Sequence, residues 1–264
     1  EAVRLADEID GLSLRQAMER LNFGPVAHYF AHRWSAPTFL SALGLLETNW
    51  TDPPLVLELA CGIGQILREV AAHGVAVAGV DVVFSKLWLA RIFLLPEAPL
   101  VCADVTAGLP LELPEGTAIL CHDAFYFMPE QERIAASLMA AAGDQGSVLI
   151  GHAHNIRFEH GIAGRPRTPD EYAGLFPGCR LYDDAELVHG PAPARMAEQL
   201  AAVEAVSLAW SAGGIGPSSP IDFHLPPPGT PLRLNPLLAR DGISLKPAWP
   251  TPAFAREYAS ATYL

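Results

Sequence analysis

The middle of the chain alternates short apolar runs with stretches of helical periodicity. Runs of aliphatic residues predict buried strands at 55–59, 75–81, 100–104, 118–123 and 146–150. Apolar positions at helical spacing predict helices at 66–73, 84–95 and 129–142. This alternation is typical of a doubly wound α/β fold with a mostly parallel sheet. Ligands of such sheets bind beyond the carboxyl ends of the strands.

The two ends of the chain have different patterns. The first 50 residues predict amphipathic helices, with a capping box at residues 13–16 and further helices at 26–34 and 35–46. After residue 150 we predict short helices at 170–176 and 195–203, and strands at 186–188 and 206–208. Residues 217–252 are rich in Pro and Gly, which indicates an extended arm or a linker. We therefore expect a helical cap (1–50), an α/β domain (51–212) and a Pro-rich C-terminal arm (213–264).

A glycine turn follows the first strand, in the sequence Glu58-Leu59-Ala60-Cys61-Gly62-Ile63-Gly64. Glycine lets backbone N–H groups approach a ligand, and the following helix offers the positive potential of its N-terminus. A nucleotide-like ligand is the functional interpretation, and a purely structural turn is the alternative. A dinucleotide fingerprint needs a third glycine, but Gln65 or Leu67 occupies that position.

The next two strands each end on an acid. A carboxylate at Asp81 can accept both ribose hydroxyls of an adenosine. The alternative is that Asp81 caps the following helix. Asp104 ends the third strand and has a similar alternative as a turn residue.

Together these residues resemble the motifs of class I S-adenosylmethionine (SAM) dependent methyltransferases of the small-molecule type. The resemblance covers about residues 54–155, with Gln65 in place of the usual last glycine. It implies a Rossmann-like fold, SAM as cofactor and S-adenosylhomocysteine (SAH) as product. It assigns the ribose to Asp81, and the adenine to Asp104 and the backbone amide that follows. The expected cofactor-binding residues in this region are Glu58, Ala60, Gly62, Gly64, Asp81, Val82, Asp104, Val105, His122 and Asp123. Tyr29, in the predicted helical cap, could also line the cofactor pocket, and the alternative is that it only packs between helices.

Histidines follow the fourth and fifth strands. The segment Cys121–Phe127 resembles the methyltransferase motif that lines the methionine moiety, and aromatic faces suit a sulfonium cation. His152 and His154 are two residues apart on a strand, so they share a face. His122, His152 and His154 are our candidates for a general base, although each could instead only pack near the cofactor or substrate. Two histidines do not make a metal site, and we expect no metal.

Composition limits the partners. With 17 Lys and Arg against 29 Asp and Glu, the net charge of −12 argues against nucleic acid as the main partner. The most apolar helix, at residues 84–95, is too short to cross a bilayer. Four cysteines without a CxxC pair favour a reducing, cytoplasmic setting. The Pro-rich arm could exchange with a neighbour, so a homodimer is possible.

The expected function is methyl transfer from SAM, by SN2 displacement, to O, N or C of a small-molecule acceptor. Two alternatives stay open. An NAD(P)-dependent oxidoreductase shares the glycine turn and Asp81. A non-catalytic partner subunit with the SAM-binding fold would account for Gln65 and for the lack of a certain base.

Overall fold

The computed structural model describes residues 6, 8–9, 11–21, 36–158, 164–214, 216, 219–231, 234, 238–249, 252 and 255. The chain forms two compact units, Leu40–Pro227 and Glu1–Phe39 with Pro228–Leu264. The first unit contains every predicted site residue except Tyr29. Tyr29 and the predicted helix at 26–34 lie outside the described residues.

A seven-stranded sheet forms the centre of the Leu40–Pro227 unit. Its strands are β1 (Val56–Leu59), β2 (Val77–Asp81), β3 (Leu100–Cys102), β4 (Ala118–His122), β5 (Ser147–His154), β6 (Arg180–Asp183) and β7 (Ala205–Trp210). They lie in the order β3-β2-β1-β4-β5-β7-β6. The strands β1 to β5 run parallel, and β7 is antiparallel to β5 and β6. The predicted Rossmann-like, mostly parallel α/β fold is confirmed.

In the described part of the chain, two helices precede β1, and the others lie between strands of the sheet. In chain order they are α1 (Leu14–Arg20), α2 (Pro37–Thr48), α3 (Gln65–Ala72), α4 (Phe84–Phe93), α5 (Gln131–Ala142), α6 (Pro169–Leu175) and α7 (Asp184–Leu187). Short 3-10 turns occupy Val105–Ala107, Phe125–Phe127 and Ala197–Leu200. The unit formed by the two chain ends contains α1, with its predicted capping box, and a hairpin of β8 (Leu238–Asp241) and β9 (Ser244–Pro247). No helix among the described residues is long and apolar enough to cross a membrane.

The strands that position the site are the most apolar ones. Every residue of β1, β2 and β4 is buried, as continuous aliphatic runs predict for parallel strands covered on both faces. Leu57 of β1 pairs with Ala78 of β2 on one side and with Ile119 of β4 on the other. The central position of β1 follows from this pairing, and the loop after β1 therefore lies in the middle of the carboxyl edge.

The later elements correct several predictions. Residues 186–188 were predicted as a strand, but Asp184–Leu187 is a helix, because the Asp183 side chain accepts a hydrogen bond from the Ala185 amide and caps it. The predicted helix at 195–203 is only a 3-10 turn. There the Asn155 side-chain amide donates to the carbonyls of residues 200, 201 and 203, which holds the chain in a turn. Strand β6 was not predicted, and β5 continues four residues beyond its predicted end at 150.

A buried carboxylate fastens the segment after β7 to helix α2. Glu47 is 3% exposed and accepts hydrogen bonds from the backbone amides of Phe223 (2.5 Å) and His224 (3.1 Å). The His224 ring contacts both Glu47 oxygens through Nδ1, at 2.9 and 3.0 Å, and the Val188 carbonyl through Nε2, at 3.2 Å. Donation from both ring nitrogens requires the protonated imidazolium.

The close approach of α2 to the chain after α7 gives a stability prediction. A Cβ atom on Gly44 would lie 2.0 Å from the Leu187 carbonyl oxygen, whereas a Cβ on Gly174 of α6 meets nothing within 4 Å. We expect Gly44→Ala to lower the free energy of unfolding by about 2–3 kcal/mol through overpacking. The matched control Gly174→Ala should be neutral or should raise it by about 0.5–1 kcal/mol. Urea unfolding of both variants tests this, and equal effects would contradict the packing.

The contact between His224 and Glu47 predicts a pH dependence. Burial lowers the pKa of His224, but the hydrogen bond and charge of Glu47, the Val188 carbonyl and the charge of Asp222 together raise it above its ordinary value of 6.5. The stabilisation is complete below pH 6.5 and is lost as the pH rises through the raised pKa of the folded protein. We expect His224→Gln to lower the free energy of unfolding by about 1–2 kcal/mol at pH 6 and by less at pH 9. Urea unfolding at a series of pH values measures this, and a cost that does not change with pH would refute it.

Candidate active site at the carboxyl edge of the sheet

The predicted site residues follow the strand order along one edge. Asp104 follows β3, Asp81 ends β2, the glycine turn follows β1, His122 ends β4, and His154 ends β5. Since neighbouring strands of a parallel sheet end on the same side, the topology arranges these groups as a row. A ligand lying across this edge would meet two carboxylates at one end and the histidines at the other.

Left-handed backbone conformations shape the turn after β1. Ala60, Gly62 and Gly64 have φ angles of 55°, 58° and 77°. Gly64 caps α3, and a Cβ there would lie 2.5 Å from Leu95 Cδ1. A side chain at Gly64 would therefore be strained in its backbone and crowded by Leu95. Small residues at these positions limit that strain and keep the turn free of bulky side chains. Its amides are engaged within the protein, since the Gly62 amide donates to Asp81 and the Gly64 amide to the Cys61 carbonyl.

The carboxylate of Asp81 joins the ends of β1 and β2. It is 4% exposed and accepts hydrogen bonds from the Gly62 amide (2.8 Å, Oδ2) and the Val83 amide (2.8 Å, Oδ1). Val82, which lies between Asp81 and Val83 in the chain, is 63% exposed. An apolar surface beside an acid at the strand end suits the base and the ribose of a nucleoside. The ribose-binding role of Asp81 stays a prediction.

Glu58 and two buried cysteines lie beside the same turn. Glu58 is 3% exposed within β1, where it pairs with Gly79 and Leu120. Burial, together with the charge of Glu58, raises the pKa of both the Cys61 and the Cys121 thiols. Neither thiol ionises near neutral pH, so neither is a nucleophile.

Asp104 is exposed and caps the turn Val105–Ala107. Its Oδ1 accepts hydrogen bonds from the Thr106 amide (2.9 Å) and the Thr106 hydroxyl (2.7 Å). These bonds hold the pKa of Asp104 below its ordinary value. The structure thus contains the turn contact that was the alternative for Asp104, and adenine binding by Asp104 and Val105 stays a prediction.

The three candidate histidines come together at the ends of β4 and β5. The ring centroids of His152 and His154 are 4.9 Å apart, and those of His122 and His152 are 6.1 Å apart. The register of β5 against β7 shifts between Ile150 and Ala153, where β5 has one residue more than its partner. His152 lies in this bulge with a φ of 49°.

Gly151 makes this arrangement possible. A Cβ atom at residue 151 would lie 2.0 Å from Nδ1 of His122. The ring of His122 therefore occupies the space that a side chain on β5 would need. His122 is 4% exposed, so it is the most deeply buried of the three candidates.

His152 is held by a carboxylate that the sequence did not reveal. Its Nδ1 lies 2.6 Å from Oδ2 of Asp184, and its backbone amide donates to Asp184 Oδ1 and to Ser207 Oγ, both at 3.2 Å. The Ser207 hydroxyl also donates to Asp184 Oδ1, at 2.7 Å. No local motif signals this, because Asp184 is 32 residues from His152 along the chain.

Electrostatics keep Asp184 ionised. Burial alone would raise its pKa, but the charge of His152 and the hydrogen bond from it, with contributions from His122 and Ser207, hold the pKa well below its ordinary range. An ionised Asp184 accepts a hydrogen bond from Nδ1–H of His152. In the neutral imidazole, Nε2 then carries the lone pair that can take a proton or bind a ligand.

Aromatic side chains and Asp123 complete the cluster. The Tyr126 hydroxyl donates to Asp123 Oδ1 at 2.8 Å, and the Tyr126 ring meets His154 edge-on, with centroids 4.6 Å apart. Asp123 has a φ of 53°, and its amide donates to the Gly151 carbonyl at 3.0 Å. Phe127 contacts Tyr126 at 4.3 Å between ring centroids and is 55% exposed. The predicted aromatic surface is thus next to the histidines.

Comparison with known proteins identifies the class of domain. Residues 57–150 match the family model described as a methyltransferase domain. No curated protein sequence matches the chain significantly. The structure of a TehB-like SAM-dependent methyltransferase from Corynebacterium glutamicum is 19% identical, with a TM-score of 0.49, and the match covers 71% of this chain and 99% of that one.

Two further structures reach a TM-score of 0.50. The plantazolicin methyltransferase BpumL, in complex with a triazolic desmethylPZN analog and SAH, is 15% identical over 75% of this chain and 94% of its own. A structure of the Trm112 methyltransferase activator from Haloferax volcanii in complex with a putative methyltransferase is 15% identical, and the match covers 69% of this chain and 91% of that one. At these identities the similarity shows the fold.

The chain therefore carries a class I SAM-dependent methyltransferase domain, and its cofactor is SAM. The predicted enzyme class, fold and cofactor are confirmed. The NAD(P)-dependent alternative is not favoured.

The geometry of Asp81 predicts the effect of removing it. We expect Asp81→Ala to weaken SAH binding by about 100-fold, since the two charge-assisted hydrogen bonds expected from the ribose hydroxyls to the carboxylate are lost. Asp81→Asn keeps one carbonyl oxygen as an acceptor, so it should weaken SAH binding by only about 10-fold. Titration calorimetry measures the affinity, with exposed Asp144→Ala as the matched control and thermal unfolding as the test of folding. Unchanged affinity in a folded Asp81→Ala protein would contradict the assignment.

Proposed function

We propose that the protein transfers the methyl group of SAM to O, N or C of a small-molecule acceptor bound beside His122, His152 and His154. The observation that carries this proposal is the histidine cluster at the ends of β4 and β5. It lies directly beside the turn of β1 in the strand order. The domain match supports methyl transfer as the chemistry.

The residues present fit SAM. Left-handed turn positions at Ala60, Gly62 and Gly64 keep the loop after β1 free of bulky side chains, and the acids Asp81 and Asp104 lie farther along the same edge. We infer that SAM lies with its adenosine beyond β2 and β3 and its methionine end near β4. The proposed binding residues are the described ones among those predicted: Glu58, Ala60, Gly62, Gly64, Asp81, Val82, Asp104, Val105, His122 and Asp123.

Bound SAM supplies a sulfonium methyl group that is open to in-line SN2 displacement. The protein contributes mainly by proximity and alignment. Where the acceptor carries an O–H or N–H group, the histidine cluster is the candidate for taking the proton. Asp184 orients His152 for this role, because its ionised carboxylate accepts from Nδ1–H and leaves Nε2 as the basic nitrogen.

The surroundings of the cluster support an acceptor with an apolar face. Phe127 is 55% exposed and Ile156 is 57% exposed, and these residues follow Tyr126 and His154 closely along the chain. The net charge of −12 supports a partner other than nucleic acid. We retain as proposals a cytoplasmic setting, which the unpaired cysteines support, and the division into cap (1–50), domain (51–212) and arm (213–264). We also retain as proposals a homodimer and the absence of a membrane partner.

The first test is calorimetric titration with SAM, SAH and NADH. We expect micromolar binding of SAM and SAH and none of NADH. Binding of NADH alone would overturn the proposal. Tight SAM binding without methyl transfer from labelled SAM across a panel of phenols, amines and carbon acids would favour the non-catalytic partner subunit.

The second test separates catalysis from cofactor binding. We expect His152→Ala to lower kcat by about 100-fold or more and to leave SAH affinity unchanged. Asp184→Asn should lower kcat less and shift the pH profile of kcat, because the imidazole loses its charged partner. His189→Ala removes an exposed histidine outside the cluster and should match the wild type. A normal kcat in His152→Ala would exclude His152 as the base.

A further inference from the structure

We propose that Asp123, His152 and His154 form a binding site for one divalent transition-metal ion. One carboxylate oxygen and two imidazole nitrogens, one from each residue, lie within 4.8 Å of one another. The proposed role of the ion, holding the methyl acceptor, rests on the proposed function. Binding of the ion can nevertheless be measured without SAM or acceptor.

The first argument is the way in which His152 is oriented. Its Nδ1 is engaged by Asp184 at 2.6 Å, so Nε2 is the nitrogen that can ligate. Asp184 itself accepts from the Ser207 hydroxyl at 2.7 Å and is 5% exposed. Histidine ligands of metals almost always donate their other ring N–H to a carboxylate or a carbonyl, which fixes the ring and increases its basicity. Asp184 provides this contact, and its buried negative charge favours a cation nearby.

The second argument is that the other two ligands are also held in place. The backbone amide of Asp123 donates to the Gly151 carbonyl at 3.0 Å, and its carboxylate accepts from the Tyr126 hydroxyl at 2.8 Å. The Tyr126 ring lies edge-on against His154, and the His154 carbonyl accepts from the Tyr172 hydroxyl at 3.1 Å. Ligands fixed by neighbours lose little conformational freedom when an ion binds.

The third argument is the donor set. Two imidazoles and one carboxylate suit zinc, iron, cobalt or nickel, and three protein ligands leave positions for water or substrate. Four ligands at zinc distances lie about 3.4 Å apart, so donor atoms that are within 4.8 Å of one another need only small movements to close on an ion. The sequence predicted no metal because only two histidines were in register. The third donor, Asp123, directly follows the neighbouring strand β4.

The ion would select acceptors that carry an oxygen donor. With the ion bound, Nε2 of His152 is a ligand and no longer the base. A hydroxyl bound to the divalent cation has a lowered pKa, so it releases its proton to solvent instead and becomes a better nucleophile. The oxygen–methyl bond then forms as the sulfur–methyl bond breaks, and SAH leaves as a neutral thioether. Phenols and hydroxy acids are the acceptor classes that this arrangement favours.

Titration of the full chain, first stripped of metal with EDTA and dialysed, tests the site. We expect one Zn²⁺ or Co²⁺ ion to bind per chain with micromolar affinity, and the Co²⁺ form to absorb in the visible range. Asp123→Asn and His154→Ala should each weaken binding by 10-fold or more. Asp184→Asn, a positioning variant, should weaken it by about 10- to 100-fold.

A matched control addresses the second group of possible ligands in the described residues, Glu47, Asp222 and His224. His224→Gln should retain wild-type affinity for the ion. Loss of binding in His224→Gln with retention in Asp123→Asn would overturn the proposal, as would the absence of stoichiometric binding to the wild type. SAH titration of the metal-free protein distinguishes the two proposals, because failure of the metal site alone leaves SAH binding intact.

Discussion

The carboxylate of Asp81 is the contact on which the proposed cofactor half of the edge depends. Burying a carboxylate without hydrogen-bond partners costs roughly several kcal/mol in lost hydration. A buried carboxylate therefore has to keep its hydrogen-bond donors in place. Asp81 binds the amides of Gly62 and Val83, and these belong to the loops that follow β1 and β2. One side chain therefore sets the spacing of two neighbouring strand ends. The left-handed turn at Gly62 is stabilised by the same bond, so contacts within the protein fix the shape of this loop.

The other half of the edge is built on strain that is compensated locally. A non-glycine residue in the left-handed region costs about 1–3 kcal/mol, and both Asp123 and His152 adopt it. The bulge in β5 also removes the His152 amide from the ladder, and Asp184 and Ser207 accept that amide instead. Charge-assisted hydrogen bonds of this kind are about twice as strong as neutral ones. The polar network thus keeps His152 in a conformation that a regular strand would not allow.

The sequence predicts the part of the molecule in which local pattern and global fold agree. The strands around Leu57, Ala78 and Ile119 are found because continuous apolar runs have no alternative to burial between two layers of helices. The strand-end acid Asp81 is found because its position follows directly from the strand. Asp184 is missed because it is 32 residues from His152 along the chain. Its contact with His152 also depends on Ser207, which lies 55 residues beyond His152 on the antiparallel strand β7. The bulge is missed because register shifts depend on pairing, which no local pattern encodes.

The order of the strands also gives the site a direction. Carboxylates lie at the ends of β3 and β2, the glycine turn follows β1, and imidazoles with aromatic rings lie at the ends of β4 and β5. Hydroxyls of a nucleoside need acceptors, and a sulfonium group needs electron-rich faces, so the two ends of the row suit different ends of SAM. In the proposed arrangement the acceptor approaches from the side of β5, where His152 and His154 converge. Because methyl transfer depends on alignment more than on base strength, the rigidity that Asp184 and Tyr126 give to these histidines matters as much as their basicity.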